Sequence, residues 1–117
     1  MDPVQLAVEI LSAEMGVPVT TERKENRPKR MVLVSQIADA SDEFLLRPRM
    51  ELSCWGLTDR DAQGIAMAAV KALRDASEVH PYLSAVQIVT KDRDQWTRTG
   101  QARYVAEVDL IINTDEE

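Results

Sequence analysis

Residues 47–76 read RPRMELSCWGLTDRDAQGIAMAAVKALRDA, which places a half-buried strand directly before a helix. Apolar and polar side chains alternate over residues 47–55, as they do in a strand that buries one face. The side chains expected to face the core are Met50, Leu52 and Cys54. Thr58 is placed to cap a helix that we predict over residues 59–76, with Asp61 in the capping-box position. The apolar stripe of this helix is mostly alanine, so the helix can lie close on a sheet.

The rest of the chain predicts one further helix and several strands. Asp2 and Pro3 form a helix start, and Gly16 ends that helix before Pro18. Residues 17–21 form a short strand or an extended arm, and the remaining strands cover residues 31–37, 83–90 and 103–112. A turn over residues 38–43 and long polar loops over residues 22–30 and 91–102 join these elements. The order is α-β-β-β-α-β-β, which predicts an α+β fold with a mainly antiparallel sheet of four to five strands and two helices on one face.

Length and composition indicate one soluble domain. The 117 residues correspond to a single domain over residues 1–117, with an acidic tail over residues 113–117. The net charge of −6 argues against a protein that grips nucleic-acid backbone or an anionic membrane surface. The start of the sequence is not that of a signal peptide, and no apolar run is long enough to span a bilayer. We therefore expect a soluble protein made in the cytoplasm.

The residues that often carry chemistry are isolated in this sequence. Cys54 is the only cysteine and lies on the predicted inward face of a strand, so we expect a buried, inert thiol. His80 is the only histidine and lies in a loop, without the partners that a zinc site or a catalytic pair needs. The acidic residues near Asp39 lack the spacing of a calcium-binding loop. We expect no enzymatic activity, no metal and no cofactor.

The two long polar loops are the candidate contact regions. Residues 22–30 (ERKENRPKR) are charged and broken by a proline, and residues 91–102 contain a tryptophan between arginines. Loops of this length are usually functional or mobile. Trp96 either folds back onto the domain or anchors a partner, since buried Trp and Arg dominate interface energetics. The candidate oligomer or partner interface consists of Arg23, Lys24, Arg27, Lys29, Arg93, Trp96 and Arg98.

The order of these segments resembles that of the small tail-terminator, or tail-completion, proteins of long-tailed bacteriophages and prophages. The resemblance covers most of the chain and depends on order and spacing rather than on one motif. It rests on six segments: the helix ending in GVPV (residues 16–19), the charged arm, the strand beginning MVLV (residues 31–34), the strand ending in SCWG (residues 53–56), the helix beginning DRDA (residues 59–62), and GQARY (residues 100–104) with the strand after it.

This resemblance implies a structural role in the virion. Such proteins form a ring, typically of six copies, that caps the head-proximal end of the tail tube, ends tube growth and presents a surface to the head. The implied partners are other copies of the chain, the tail tube protein and the head–tail connector protein, while DNA passes through the lumen without specific binding. The implied location is the host cytoplasm during assembly and then the virion tail. Two alternatives stay open: a neck or head–tail connector component, and a small host adaptor or regulatory binding domain.

Overall fold

The computed structural model describes residues 2–22, 29–39, 41, 45–80, 83–94 and 102–113, with the backbone alone for residues 45 and 88–94. Its elements follow the predicted order. They are α1 (Pro3–Glu14), β1 (Val19–Thr20), β2 (Met31–Asp39), β3 (Leu45–Leu46), β4 (Pro48–Gly56), α2 (Asp59–Ser77), β5 (Leu83–Asp94) and β6 (Ala102–Asn113).

One mixed sheet contains all six strand segments. The spatial order is β1-β2-β4-β6, with β5 paired to the outer side of β6. β1 runs parallel to β2, and the other pairs are antiparallel. β3 continues β4, because Leu46 pairs with Ile112 and Arg49 with Asp109 in one unbroken register. The segments therefore occupy five strand positions, and the predicted α+β class and element order are confirmed.

Both helices begin where the sequence predicts. The Asp2 carboxylate accepts the Val4 N–H at 3.0 Å, and the Thr58 hydroxyl accepts the Asp61 N–H at 3.0 Å. Each side chain satisfies a backbone donor that lacks a partner inside its helix. α1 ends one turn after Leu11, whose carbonyl accepts the Met15 N–H at 2.8 Å.

The helices cover one face of the sheet and enclose the main core. α2 packs on β4, β5 and β6, while α1 packs on α2, β1 and β2. The inward side of α2 is mainly alanine, and Ala62, Ala66 and Ala69 are fully buried. Small side chains bring this helix close to the sheet. The core residues contributed by the strands include Val32, Val34, Met50, Leu52, Cys54, Ala106, Val108, Leu110 and Ile112.

The predicted loop over residues 91–102 is wrong in its first part. β5 continues to Asp94 and β6 begins at Ala102, so residues 91–94 belong to a strand. Charged residues have low strand propensity, which is why this stretch was predicted as a loop. Backbone pairing with β6 overrides that propensity, since Lys91 pairs with Ala106 and Asp94 with Arg103. Asn113 is likewise the last residue of β6, so it does not belong to the predicted tail.

Candidate functional site

The described residues of the two predicted contact regions lie toward opposite sides of the sheet. Lys29 is exposed and directly precedes Arg30 and β2, next to the edge formed by β1. Arg93 lies in β5, at the other edge, where its backbone is opposite Tyr104. The remaining predicted interface residues lie outside the described residues: Arg23, Lys24, Arg27, Trp96 and Arg98. Strands β4 and β6 therefore lie between β2, which Lys29 and Arg30 directly precede, and β5 with Arg93.

An ion pair holds the end of the charged arm against α2. The Arg30 guanidinium donates two hydrogen bonds to the Asp61 carboxylate, at 3.0 and 3.1 Å. The same carboxylate accepts the Leu57 N–H at 2.9 Å. The Leu57 N–H, and then Arg30, lower the pKa of Asp61 below its ordinary value. One carboxylate thus ties together the start of β2, the β4–α2 turn and the first turn of α2.

A shallow groove of about 570 Å³ adjoins this ion pair. It runs between the end of α1 and the first half of α2. Its lining includes the apolar residues Met15, Val17, Ile65 and Ala68 and the charged residues Glu14, Arg30, Arg60 and Asp61. Both charge signs are present and balanced, so this groove shows no preference for a cation or an anion.

The helix-free face of the sheet carries a row of charges near its middle. Arg49 on β4 donates two hydrogen bonds to Asp109, its cross-strand neighbour on β6, at 2.8 and 3.1 Å. Glu51 lies directly opposite Glu107 in the same register. Like charges at directly opposite positions disfavour pairing. The Arg103 guanidinium lies 3.8 Å from Glu51 and offsets part of that repulsion.

One end of this face is apolar, which the sequence analysis missed. Met31, Leu33 and Trp55 form a second buried cluster on the side of the sheet away from the helices. Arg103 lies over the Trp55 ring, 5.3 Å from its centroid, and donates to the Ser53 hydroxyl at 2.9 Å. A guanidinium over an indole face is attracted by the ring quadrupole. The signal for this contact is the cross-strand pairing of residues 55 and 103, which only the register reveals.

β5 is the longer of the two edge strands that the structure describes. Among the described strands it pairs with β6 alone, and it is twelve residues long. The sheet's other edge, β1, has two residues. An edge strand presents a row of unpaired N–H and C=O groups to any chain that can align with it. The long open edge is therefore the larger candidate interaction surface of the two.

The cysteine lies in the core of the domain. Cys54 is fully buried on the inward face of β4, as predicted. Burial raises the pKa of its thiol to about 12, so the thiolate that a nucleophile needs is scarce at neutral pH. Among the described residues, no group of three or more His, Cys, Asp or Glu side chains is placed to hold a metal ion. No helix among them is both long and apolar enough to cross a membrane.

Comparison with known proteins reveals a structural relative. No protein-family model matches the sequence, and no curated protein sequence resembles it significantly. The structure is similar to that of the bacteriophage SPP1 gp17 protein, with a TM-score of 0.55 and 18% sequence identity. The match covers 97% of this chain and 90% of the phage chain. The likeness thus extends over the whole domain, and the chain shares the fold of a bacteriophage protein.

Proposed function

We propose that this chain is a structural protein of a phage virion that forms a ring on the head-proximal end of the tail tube. The ring ends tube growth and joins the tail to the head. The observation that carries the proposal is the likeness to the bacteriophage SPP1 gp17 protein across nearly the whole of both chains. The order of sequence segments, which resembles the tail-terminator family, supports the same role.

The placement of the two contact regions favours a ring. Of their described residues, Lys29 lies at the β1–β2 side of the sheet and Arg93 lies in β5 at the other edge. Subunits that join through two different surfaces associate head to tail, and such contacts close into a ring when the rotation between subunits permits. In this proposal Arg23, Lys24, Arg27 and Lys29 on one side, and Arg93, Trp96 and Arg98 on the other, each contact a neighbouring subunit or the tail tube.

The charge of the subunit suits a channel for DNA. At a net charge of −6 per copy, the assembled ring has no excess of cations to displace counterions from the phosphate backbone. DNA could then pass through the lumen without being held. The head–tail connector protein and the tail tube protein would contact the two ends of the ring.

Deletion of the gene from the phage genome tests the proposal. We expect tails of excess length that do not join to heads, counted in negatively stained lysates, with normal virions restored by a plasmid copy of the gene. Tails of normal length that fail to join would place the protein in the neck instead. Normal virions in the deletion would contradict both roles.

A purified sample tests the ring itself. Tail tubes assembled in vitro and capped by this protein should show a ring of this chain at one tube end by electron microscopy, six-fold in averaged end views. A catalytically silent adaptor would instead bind a host protein as a monomer and leave the tube ends bare.

A further inference from the structure

The open edge of β5 has one stretch that is suited to pairing. Its register with β6 shifts between Leu83 and Ala85 and again between Ile88 and Thr90. Such irregularities bend an edge and block a partner strand from aligning with it. From Thr90 to Asp94 the register is regular, with successive residues opposite Glu107 to Arg103. The regular end of the edge is therefore the part that can accept another strand.

The sequence of that stretch is self-complementary in charge. Residues 91–94 read KDRD, so positive and negative side chains alternate. We propose that β5 of a second copy pairs antiparallel along residues 91–94, with Lys91 opposite Asp94 and Asp92 opposite Arg93. All four cross-strand positions then hold opposite charges, and each such pair favours the contact.

The same charge pattern disfavours pairing of the two strands with a shift of one residue or in the parallel direction. A shift of one residue places Lys91 opposite Arg93 and Asp92 opposite its own copy, so every pair in which two charged residues oppose each other directly is like-charged. Parallel pairing in register also places each charge opposite itself. Like charges directly opposite are destabilising, so the sequence selects one register where a neutral edge would allow several.

This contact is distinct from the ring proposed above. Antiparallel pairing of β5 with its own copy is two-fold and closed, whereas a ring needs two different surfaces. The pairing therefore belongs to the free protein before it assembles. Its buried area is small, which puts it in the weak, transient class of interfaces.

Charge reversals at the two central positions test the register. Asp92→Arg alone and Arg93→Asp alone each place like charges at two of the four positions. We expect each variant to self-associate roughly tenfold more weakly than the natural protein, by sedimentation equilibrium at low salt over a series reaching about 1 mM. The residues opposite 92 and 93 on β6 are Val105 and Tyr104, which are uncharged, so the hairpin itself gains no directly opposed like pair.

Two controls restore opposite charges across the proposed pairing without restoring the natural residues at positions 92 and 93. An equimolar mixture of the two single variants has opposite charges at all four positions, so we expect mixed dimers as strong as the natural ones. The double variant Asp92→Arg/Arg93→Asp is again self-complementary and should dimerise like the natural protein. Circular dichroism of each variant checks that the fold is retained.

Amide hydrogen exchange on the natural protein provides a test that needs no variant. Alternate amides of residues 90–94 should exchange more slowly as the concentration rises, while those of β1 and β2 stay unchanged. A natural protein that remains monomeric throughout the series would overturn the proposal, as would single variants that associate normally or a mixture that stays monomeric. These outcomes concern the purified protein and are independent of the deletion phenotype.

Discussion

Gly56 lies where the fold has no room for a Cβ atom. A Cβ at this position would lie 2.4 Å from the backbone nitrogen of Ala62 and 2.8 Å from its Cα. These are backbone atoms of the first turn of α2, which can move only if the helix moves. We expect Gly56→Ala to lower the free energy of unfolding by roughly 3 kcal/mol, measured by urea denaturation.

Gly64 provides the matched control for that substitution. It lies inside α2, and a Cβ there would meet nothing within 4 Å. The sequence alone left open whether this glycine allows a close approach, and the structure shows that it does not. Gly64→Ala should raise the free energy of unfolding by about 1 kcal/mol, because alanine is the better helix former. Equal effects at the two positions would contradict this account of Gly56.

Asp61 makes the stability of the fold depend on pH in the acid range. Its pKa is lowered in the folded protein, mainly by the Leu57 N–H and also by Arg30. A carboxyl with a lowered folded pKa stabilises the fold above its unfolded pKa of about 4, and the contribution is lost as the pH falls through the folded value. We expect Asp61→Asn to destabilise the protein at pH 7 and to have a progressively smaller effect below about pH 4.

The free energy of unfolding of the natural protein and of Asp61→Asn is measured by urea denaturation at a series of pH values between 2.5 and 7. The two curves of stability against pH should converge at the acid end. A constant difference between the curves at every pH would show that Asp61 acts through packing instead.

At the scale of elements, the alanine face of α2 sets the distance between helix and sheet. Ala69 is fully buried against the strands, whereas Ala68 lies on the exposed side and lines the shallow groove. We expect Ala69→Leu to cost roughly 1–3 kcal/mol of stability, because the added atoms force the helix away from the sheet. Ala68→Leu adds the same atoms in open space and should change stability by less than about 0.5 kcal/mol, by thermal or urea unfolding.

The β5–β6 hairpin shows how pairing extends an element beyond its own propensity. Residues 83–90 have the apolar pattern of a strand, but residues 91–94 are all charged. They are extended because β6 offers backbone partners as far as Arg103. This extension lengthens the open edge, and it brings the complementary charges of residues 91–94 into the strand.

At the scale of the whole molecule, substitutions at the proposed contacts should weaken assembly of the ring and leave folding of the subunit unaffected. Lys29 is exposed at one side of the sheet, and Trp96 comes two residues after the end of β5 in the sequence. We expect Lys29→Glu and Trp96→Ala to reduce the capping of tail tubes and the rescue of the gene deletion, with little change in melting temperature. Lys71→Glu, on the exposed face of α2, is the control that should still support both.

Tube capping and melting temperature together distinguish two roles for the residues changed in Lys29→Glu and Trp96→Ala. Lost capping with an unchanged melting temperature supports contacts between subunits or with the tube. A lower melting temperature for Trp96→Ala, with capping retained, would mean that the tryptophan packs on its own domain.

The local pattern of the sequence determined the elements and their order. Helix caps at Asp2 and Thr58, the alanine stripe of α2 and the alternation in β4 and β6 are all encoded within a few neighbouring residues, so periodicity and capping chemistry suffice to predict them. The burial of Cys54 follows from the same alternation. The segment order also carries the resemblance to phage proteins.

Only the tertiary structure decided which residues meet across the fold. The Arg30–Asp61 pair, the contact of Arg103 with Trp55 and the opposition of Glu51 and Glu107 each join distant parts of the chain. Their formation depends on strand order and register, which are selected by the total packing of the core and not by any local stretch. The same holds for β5: its sequence contains the alternating charges, but only the strand order puts the backbone of this stretch at an edge of the sheet.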